Sequence, residues 1–464
     1  MSAAHEPPPL GLRMAVAVIA AGTTMAVLDS SIANVALPTI SRELHAHPAS
    51  TIWVVNAFQI AVATTLLSLA ALGDAIGYRA VYTAGIIVFT LGSLLCALSH
   101  SLTALVLARV LQGVGASGIM SVGPALYRTI FPASQLGRAL GISALVVASS
   151  ASAGPTIGGT ILAVAPWPWL FAVNVPIGIV DAIVAARALP AHATRRTGFD
   201  AHGAILSAPA IGLFVVALEG IAHGTKPLVS ASAFAASIAF GVAFVLRQRS
   251  ARSPLLPLEI FAIPRFSLAA LTSLCSFLAQ GLALVSLPFL LQGPLGYSPF
   301  ASGLLVTPWP VSIALVAPFA GRLADRYQPA ILCTAGLALL AAGLAALALL
   351  PTHAGALDIV WRAMLCGVGF GLFQSPNNRE LMGSVPRERS GAASGVLSTV
   401  RVTGQTLGAA LVAIVLGAGG AAVLGTATHP LVARSVATTL WLAAVAATAA
   451  ALVSAVRLRA ARAT

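Results

Sequence analysis

The sequence predicts an all-α integral membrane protein with fourteen transmembrane helices. Composition, the length of its apolar runs and the placement of arginine carry that expectation. Of 464 residues, 58% are hydrophobic and 8% charged, with a mean hydropathy of +0.95. A water-soluble domain carries roughly 25% charged residues, so water is not the solvent on every side of this chain. In hydrocarbon each backbone N–H and C=O needs an internal partner, which leaves helices and closed barrels. Continuous apolar runs, rather than alternating segments of about ten residues, select helices.

A membrane-crossing helix takes about 20 apolar residues. Runs of that order fall at 14–38, 51–72, 80–99, 103–126, 139–164, 168–189, 203–222, 228–247, 266–291, 300–320, 328–350, 357–377, 391–417 and 434–456. The division around Pro166–Trp169 is the least marked. With the N-terminus inside, 19 basic residues fall in inner segments, among them Arg79, Arg195, Arg249, Arg387 and Arg457, and 3 in outer ones (Arg42, Lys226, Arg434). Such a bias marks the cytoplasmic side and predicts both termini there, in a multi-pass protein of the cytoplasmic (inner) membrane.

The formal net charge of +13 would point a soluble chain toward nucleic acid. Here the basic residues are scattered over loops without an aromatic–basic platform, so no nucleic-acid partner is expected. Cys96, Cys275, Cys333 and Cys366 lie in apolar runs without metal-ligand spacing, so neither a disulfide framework nor a metal site is expected. No Walker A pattern and no catalytic His/Asp/Glu cluster occurs, so no enzyme activity, ATP-driven pumping or cofactor is expected. The first ten residues lack the pattern of a cleaved signal.

The chain repeats itself. ALGDAIGYR (71–79) follows the second run and GRLADRY (321–327) follows the tenth, both short turns on the inner side. Repetition of this kind predicts two six-helix halves, at 1–190 and 265–464, with two additional helices and linkers at 191–264. Within the turns, Gly73 and Gly77 permit tight backbone geometry. Asp74 and Arg79, with Gly321, Asp325 and Arg326 as a second copy, read as a conformational latch or as solvated loop charges.

Ionisable residues inside the runs are few, and each is a candidate site. Asp29, in MAVLDSSIANVALP, reads as a proton-exchanging acid or as a structural aspartate held by Ser30, Ser31 or a neighbouring helix. Arg109, in LARVLQGVGASG, needs a carboxylate or several carbonyls, since arginine does not deprotonate in proteins. It reads as an anchor of the polar wall near Asp29 or as a carbonyl clamp. Asp181 is expected to pair with Arg187. Arg401, beside Thr399, Thr403 and Gln405, is expected to face inward. Asn34, Trp53, Asn56, Gln59, Glu219 and Gln280 are candidate cavity residues, with interface positions the rival for Trp53 and Glu219. In SASAGPTIGGT (150–160), Gly154, Pro155, Gly158 and Gly159 would ruin a soluble helix, but in lipid small residues let helices approach closely.

In order along the chain, these segments resemble those of the major facilitator superfamily, specifically its fourteen-span drug:proton antiporter family of EmrB and QacA type multidrug exporters. LDSSIANVALPTI (28–40) resembles the first-span motif, GDAIGYR (73–79) the cytoplasmic-loop motif, and LARVLQGVGAS (107–117) the fourth-span motif. AGPTIGG (153–159) resembles the antiporter motif, WPWLFAVNVPIG (167–178) the segment after it, and GFGLFQSPNN (369–378) with RSGAASGVLSTVR (389–401) the late-span signature. The resemblance implies the major facilitator fold, two pseudosymmetric six-helix halves with two extra central helices. It also implies alternating access and proton-driven export, with Asp29 as the proton-coupling acid and Arg109 as its fourth-span arginine. Ala70 and Ala75 depart from the loop motif, which predicts a weaker latch in that half. The acids that dication exporters carry in the tenth and thirteenth spans are absent, and Arg401 stands in the thirteenth.

The expectation is a monomeric secondary transporter in the bilayer, exchanging protons for hydrophobic or amphipathic drugs, cationic or neutral, and so conferring antibiotic resistance. Two alternatives stand beside it: a dedicated exporter of one metabolite or antibiotic, and a non-transporting membrane sensor.

Overall fold

A computed structural model describes residues 10–131, 136–190, 200–222, 227–251, 254–256, 258–324, 326–351, 354–385, 390–418 and 429–460. Helix covers each of the apolar runs. In chain order these are α1 (Leu10–Glu43), α2 (Pro48–Thr51), α3 (Trp53–Ile76), α4 (Tyr78–Ala97), α5 (Leu102–Ile130), α6 (Leu136–Val164), α7 (Trp169–Ala172) and α8 (Asn174–Ala188). Then come α9 (Ala201–Ala222), α10 (Pro227–Ser250), α11 (Pro264–Gln292), α12 (Pro299–Val306), α13 (Pro308–Leu323), α14 (Pro329–Ala348), α15 (Ala356–Gly383), α16 (Ser390–Ala418) and α17 (His429–Ala460). A short 3-10 helix, Leu258–Ala262, precedes α11.

Local chemistry sets several boundaries. Ser101 and Ser298 accept the N–H groups of Ala104 and Ala301, both at 3.2 Å, capping α5 and α12. Proline opens α11, α12 and α14, where its missing N–H costs nothing. Gly77, at φ 102°, separates α3 from α4 in a conformation that a side chain would strain. Prolines inside α1, α5, α6, α11 and α15 are tolerated because neighbouring helices supply partners.

Among the described residues, twelve stretches have both the length and the apolarity to cross a bilayer. The expectation of fourteen exceeds that number. The two absent from it are α6, which has spanning length, and α9, whose fully described apolar stretch is the shorter Ala201–Phe214. Large apolar side chains face outward, Leu107, Val180, Leu246, Leu315 and Val445 among them, as a lipid solvent requires.

The packing repeats between the two ends of the chain. α1 lies on α6 and α8, α3 on α5, and α4 on α5 and α8. In the same pattern α11 lies on α16 and α17, α13 on α15, and α14 on α15 and α17. The two sets meet where α6 touches α12 and α13, where α3 and α2 touch α16, and where α1 touches α11. α9 and α10 pair with each other, and α9 also rests on both α3 and α16.

At one end of the bundle the two sets share a continuous core, joining Leu37, Ile40 and Val55 to Leu282, Phe289 and Leu416. Gln292 donates to Val35 O at 2.9 Å there. Toward the other end, from which α1 and α11 start, the core divides. One cluster gathers Ile19, Tyr82, Ile119 and Tyr127, with Val402 its single member from the second set; the other gathers Phe266, Ala269, Leu381 and Val396.

Candidate functional site

Asp29 lies near the middle of α1 and is 2% exposed. Its Oδ2 accepts from the Arg109 guanidinium of α5, an ion pair with both side chains essentially removed from solvent. Its Oδ1 accepts from Gln112 Nε2 and from Asn174 Nδ2 of α8, each at 2.9 Å. Gln112 stands one helical turn from Arg109, on the same face. It accepts from the Arg109 guanidinium at 2.5 Å and donates to Ser93 Oγ of α4 at 2.8 Å. Arg109 Nε donates to Val54 O of α3 at 2.9 Å, and the guanidinium lies 4.1 Å from the centroid of the Phe58 ring. One acid thus ties α1, α3, α4, α5 and α8 together. Breaking such a buried pair costs about 3–5 kcal/mol, because the survivor is an uncompensated charge.

Small residues admit this network. A Cβ on Gly92 would stand 2.7 Å from the Gln112 backbone, and one on Gly115 would stand 2.2 Å from Phe89 N. The backbones of α4 and α5 therefore meet almost directly, bringing Ser93 to Gln112. In α6, Gly154 lies against Ser31 and Gly158 against Ile32, where added Cβ atoms would meet them at 2.4 and 3.2 Å. Gly159 lies on Phe300, and Pro155 O on Gly303 of α12. The one glycine-rich segment therefore packs on α1 with one face and on the opposite set of helices with the other. Thr156 and Thr307 join across that contact at 2.7 Å.

The turn residues separate. Arg79 donates to Ala186 O, in the last turn of α8, where carbonyls lack helical partners. Gly73 lies under Tyr78 and Val122. Gly321 approaches Ser375 and Arg326 is exposed. The side chain of Asp74 and the whole of Asp325 lie outside the described residues, as does the side chain of Glu219. Asp181 does not pair with Arg187: it accepts from Tyr82 Oη at 3.2 Å, and Tyr82 also lies 2.7 Å from Val18 O. Asp181 lines a 510 Å³ groove between α1 and α8, otherwise walled by apolar residues such as Met14, Ala21, Ile177 and Val184.

Three expected cavity residues meet around α16. Gln59 Oε1 accepts from Thr406 Oγ1 at 3.3 Å, and Gln280 Oε1 accepts from Gln405 Nε2 at 3.0 Å. Arg401 lies one turn from Gln405 on the same helix. Asn56 is buried one turn from Gln59, whereas Trp53 is half-buried at the start of α3. Asn34 turns back on its own helix, donating to Ser30 O at 3.4 Å.

A second network escaped the sequence reading. Arg457, expected in a basic loop, is buried in α17 and donates to Asn377 Oδ1 at 2.9 Å and Glu380 Oε2 at 3.0 Å, both on α15. It also donates to Ser454 Oγ at 2.9 Å, and Asn377 donates to Ser273 Oγ of α11 at 2.7 Å. Thr334 of α14 donates to Ser454 Oγ at 3.0 Å. These helices occupy the places in the second set that α8, α5, α1 and α4 occupy in the first. Asn377 does stand in a quoted motif, but nothing in the sequence links it to an arginine eighty positions away.

Solved transporters share the fold. A POT family transporter in complex with 5-aminolevulinic acid superposes with a TM-score of 0.71 at 13% identity, over 97% of this chain and 96% of that one. A bacterial homologue of the lysosomal transporter Spinster, inward-facing and unoccupied, gives 0.67 at 15% identity, over 97% and 96%. Sequence relatives lie nearer. The uncharacterized transporter YebQ of Escherichia coli (strain K12) is 51% identical over 404 residues, covering 87% of this chain and 88% of that protein. The riboflavin transporter RibZ of Clostridioides difficile (strain 630) is 32% identical over 395 residues, 85% and 86%. The multidrug resistance protein Stp of Mycobacterium tuberculosis is 34% identical over 402 residues, 86% and 74%. The family model described as Major Facilitator Superfamily matches residues 19–409, and the chain, a multi-pass membrane transporter, belongs to that superfamily.

Proposed function

We propose that the protein is a proton-coupled antiporter of the fourteen-span drug:proton type, exporting hydrophobic or amphipathic molecules across the cytoplasmic membrane by alternating access. The observation that carries this reading is the unequal closure of the bundle: the two helix sets share one core at the far end and separate toward the end where α1 and α11 start. With both termini cytoplasmic, as the arginine bias favours, the gap opens inward. Residues 1–190 and 265–464 form the halves, and α9 and α10 within 191–264 are the two extra spans.

In this reading Asp29 carries the coupling proton. With the carboxylate ionised, Arg109, Gln112 and Asn174 hold it and brace α1 against α5 and α8. A proton taken up at Oδ2 replaces the Arg109 contact, and the released guanidinium keeps Gln112 and Val54 O. The brace loosens as the proton binds. Arg79, bonded to α8, and the tight α6–α12 contact supply the elements between which the halves turn. One proton crossing about 150 mV supplies roughly 3.5 kcal/mol, enough for a gradient of a few hundred-fold.

The similarity to Stp favours multidrug export, and that to RibZ favours a dedicated metabolite exporter. Dye and drug efflux in a pump-deficient host, with and without a protonophore and with riboflavin in the panel, tests both. We expect efflux of several unrelated amphipathic compounds, abolished by the protonophore. Undiminished efflux after the proton gradient collapses overturns the coupling, and movement of a single compound selects the dedicated exporter.

A further inference from the structure

We propose that the transported molecule carries an anionic group, a carboxylate, sulfonate or phosphate, and that Arg401 binds it in the gap between the helix sets. This rests on the reading of the protein as an exporter and replaces the cationic or neutral substrate expected from sequence.

Arg401 lies eleven residues into α16, about 17 Å along the helix, which is mid-membrane in a hydrocarbon core about 30 Å thick. A cation at that depth is costly and calls for a partner. Three other described arginines in the helices have acids: Arg109 has Asp29, Arg457 has Glu380, and Arg362 has Asp358 at 2.8 Å. Among the described residues Arg401 makes no hydrogen bond, ion pair or ring contact.

The packing shows what it faces. No residue from 395 to 417 is exposed, and α11, α17, α3 and α9 pack around α16. Arg401 is nevertheless only half-buried. Val402 and Thr406, on the neighbouring face, already reach the first helix set, through its cluster and through Gln59. Arg401 lies one turn from Gln405 toward the end where the two cores divide, which places it beside the gap.

The groups around it add donors. Gln405 donates to Gln280 Oε1, and the Gln280 amide N–H groups have no partner among the described residues. A guanidinium with amide donors one turn above it suits a planar two-oxygen anion, which arginine binds in bidentate fashion. A cationic solute would meet an uncompensated like charge instead.

The test is equilibrium binding to the purified full chain in detergent, with no proton gradient, so its outcome is separate from that of the efflux experiment. The probes are a panel of amphipathic aromatic carboxylates and sulfonates, each paired with its uncharged ester and its ammonium counterpart. Acids should bind more tightly than their esters and amines. Arg401→Gln should weaken the acids about 10- to 100-fold, the value of a hydrogen bond to a charged group, and leave the esters unchanged. Arg401→Lys should restore part of the preference. Thermal unfolding checks that each variant is folded, and the wild-type preference alone decides the matter if Arg401→Gln is not. Equal binding of acids and esters, tighter binding of the amines, or failure of every acid to bind overturns the proposal. So does occupation of the site by phosphatidylglycerol that no acid displaces.

Discussion

Replacing Asp29 by asparagine keeps the shape of the side chain and removes its charge. Arg109, 0% exposed, then retains Val54 O and Gln112 but has no counter-ion. An uncompensated buried charge of this kind costs about 3–5 kcal/mol. Arg109→Gln leaves the opposite charge stranded against Gln112 and Asn174, at a similar cost. Combining the two strands neither, so the double variant should be about 2–3 kcal/mol more stable than the sum of the single losses allows. The assay is reversible unfolding in mixed micelles, read by tryptophan fluorescence for the wild type, both single variants and the double. Additivity within about 0.5 kcal/mol, the range for independent sites, would refute the brace. Transport read in parallel should be lost in all three variants, because regaining stability does not regain a titratable acid.

Two further substitutions test the packing and the linker. Gly303→Leu should abolish transport, because a Cβ there would meet Pro155 O at 2.1 Å, whereas Gly212→Leu, with nothing within 4 Å, should be tolerated; vesicle uptake with equal expression checks the pair. Asp200, just before α9, caps Gly203 N at 3.1 Å and binds Arg247 and Gln248 of α10, each at 3.0 Å. Burial alone would push its carboxyl up, but these donors outweigh it and hold the group below the usual carboxylate range. The stabilisation is therefore present above the unfolded value of about 3.9 and lost as pH falls through the lower folded value. Hydrogen exchange at the start of α9 should accelerate only below about pH 4, and Asp200→Ala should reproduce that state at neutral pH.

The helices were legible because lipid makes their signal one-dimensional: a long apolar run has few alternatives to helix, and the starts expected at 51, 103 and 266 stand within a few residues of those observed at Trp53, Leu102 and Pro264. Asp29 and Arg109 were legible as isolated charges that hydrocarbon would not leave alone. Their company was not. Gln112 and Asn174 are neutral amides with no cost that flags them, and only folding brings α8 to α1. Asp181 was misread because Arg187 is near in sequence, whereas Tyr82 is near in space. Arg457 was misread because a basic residue close to a chain end counts toward the loop bias, although here it faces inward to Glu380.

The position of α9 makes the bundle lopsided. The two flanks where the helix sets meet are alike in their inner contacts, but α9 rests on both α3 and α16 and covers one seam, with α10 outside it, while among the described residues no further helix packs in this way over the α6–α12 seam. A greasy molecule already dissolved in the membrane therefore meets a double wall on one side and a single-layered join on the other. On the proposed export reading, sideways traffic between the bilayer and the interior should be confined to one half of the circumference, and a crosslink from α9 to α16 should leave it untouched while one from α6 to α12 should stop it.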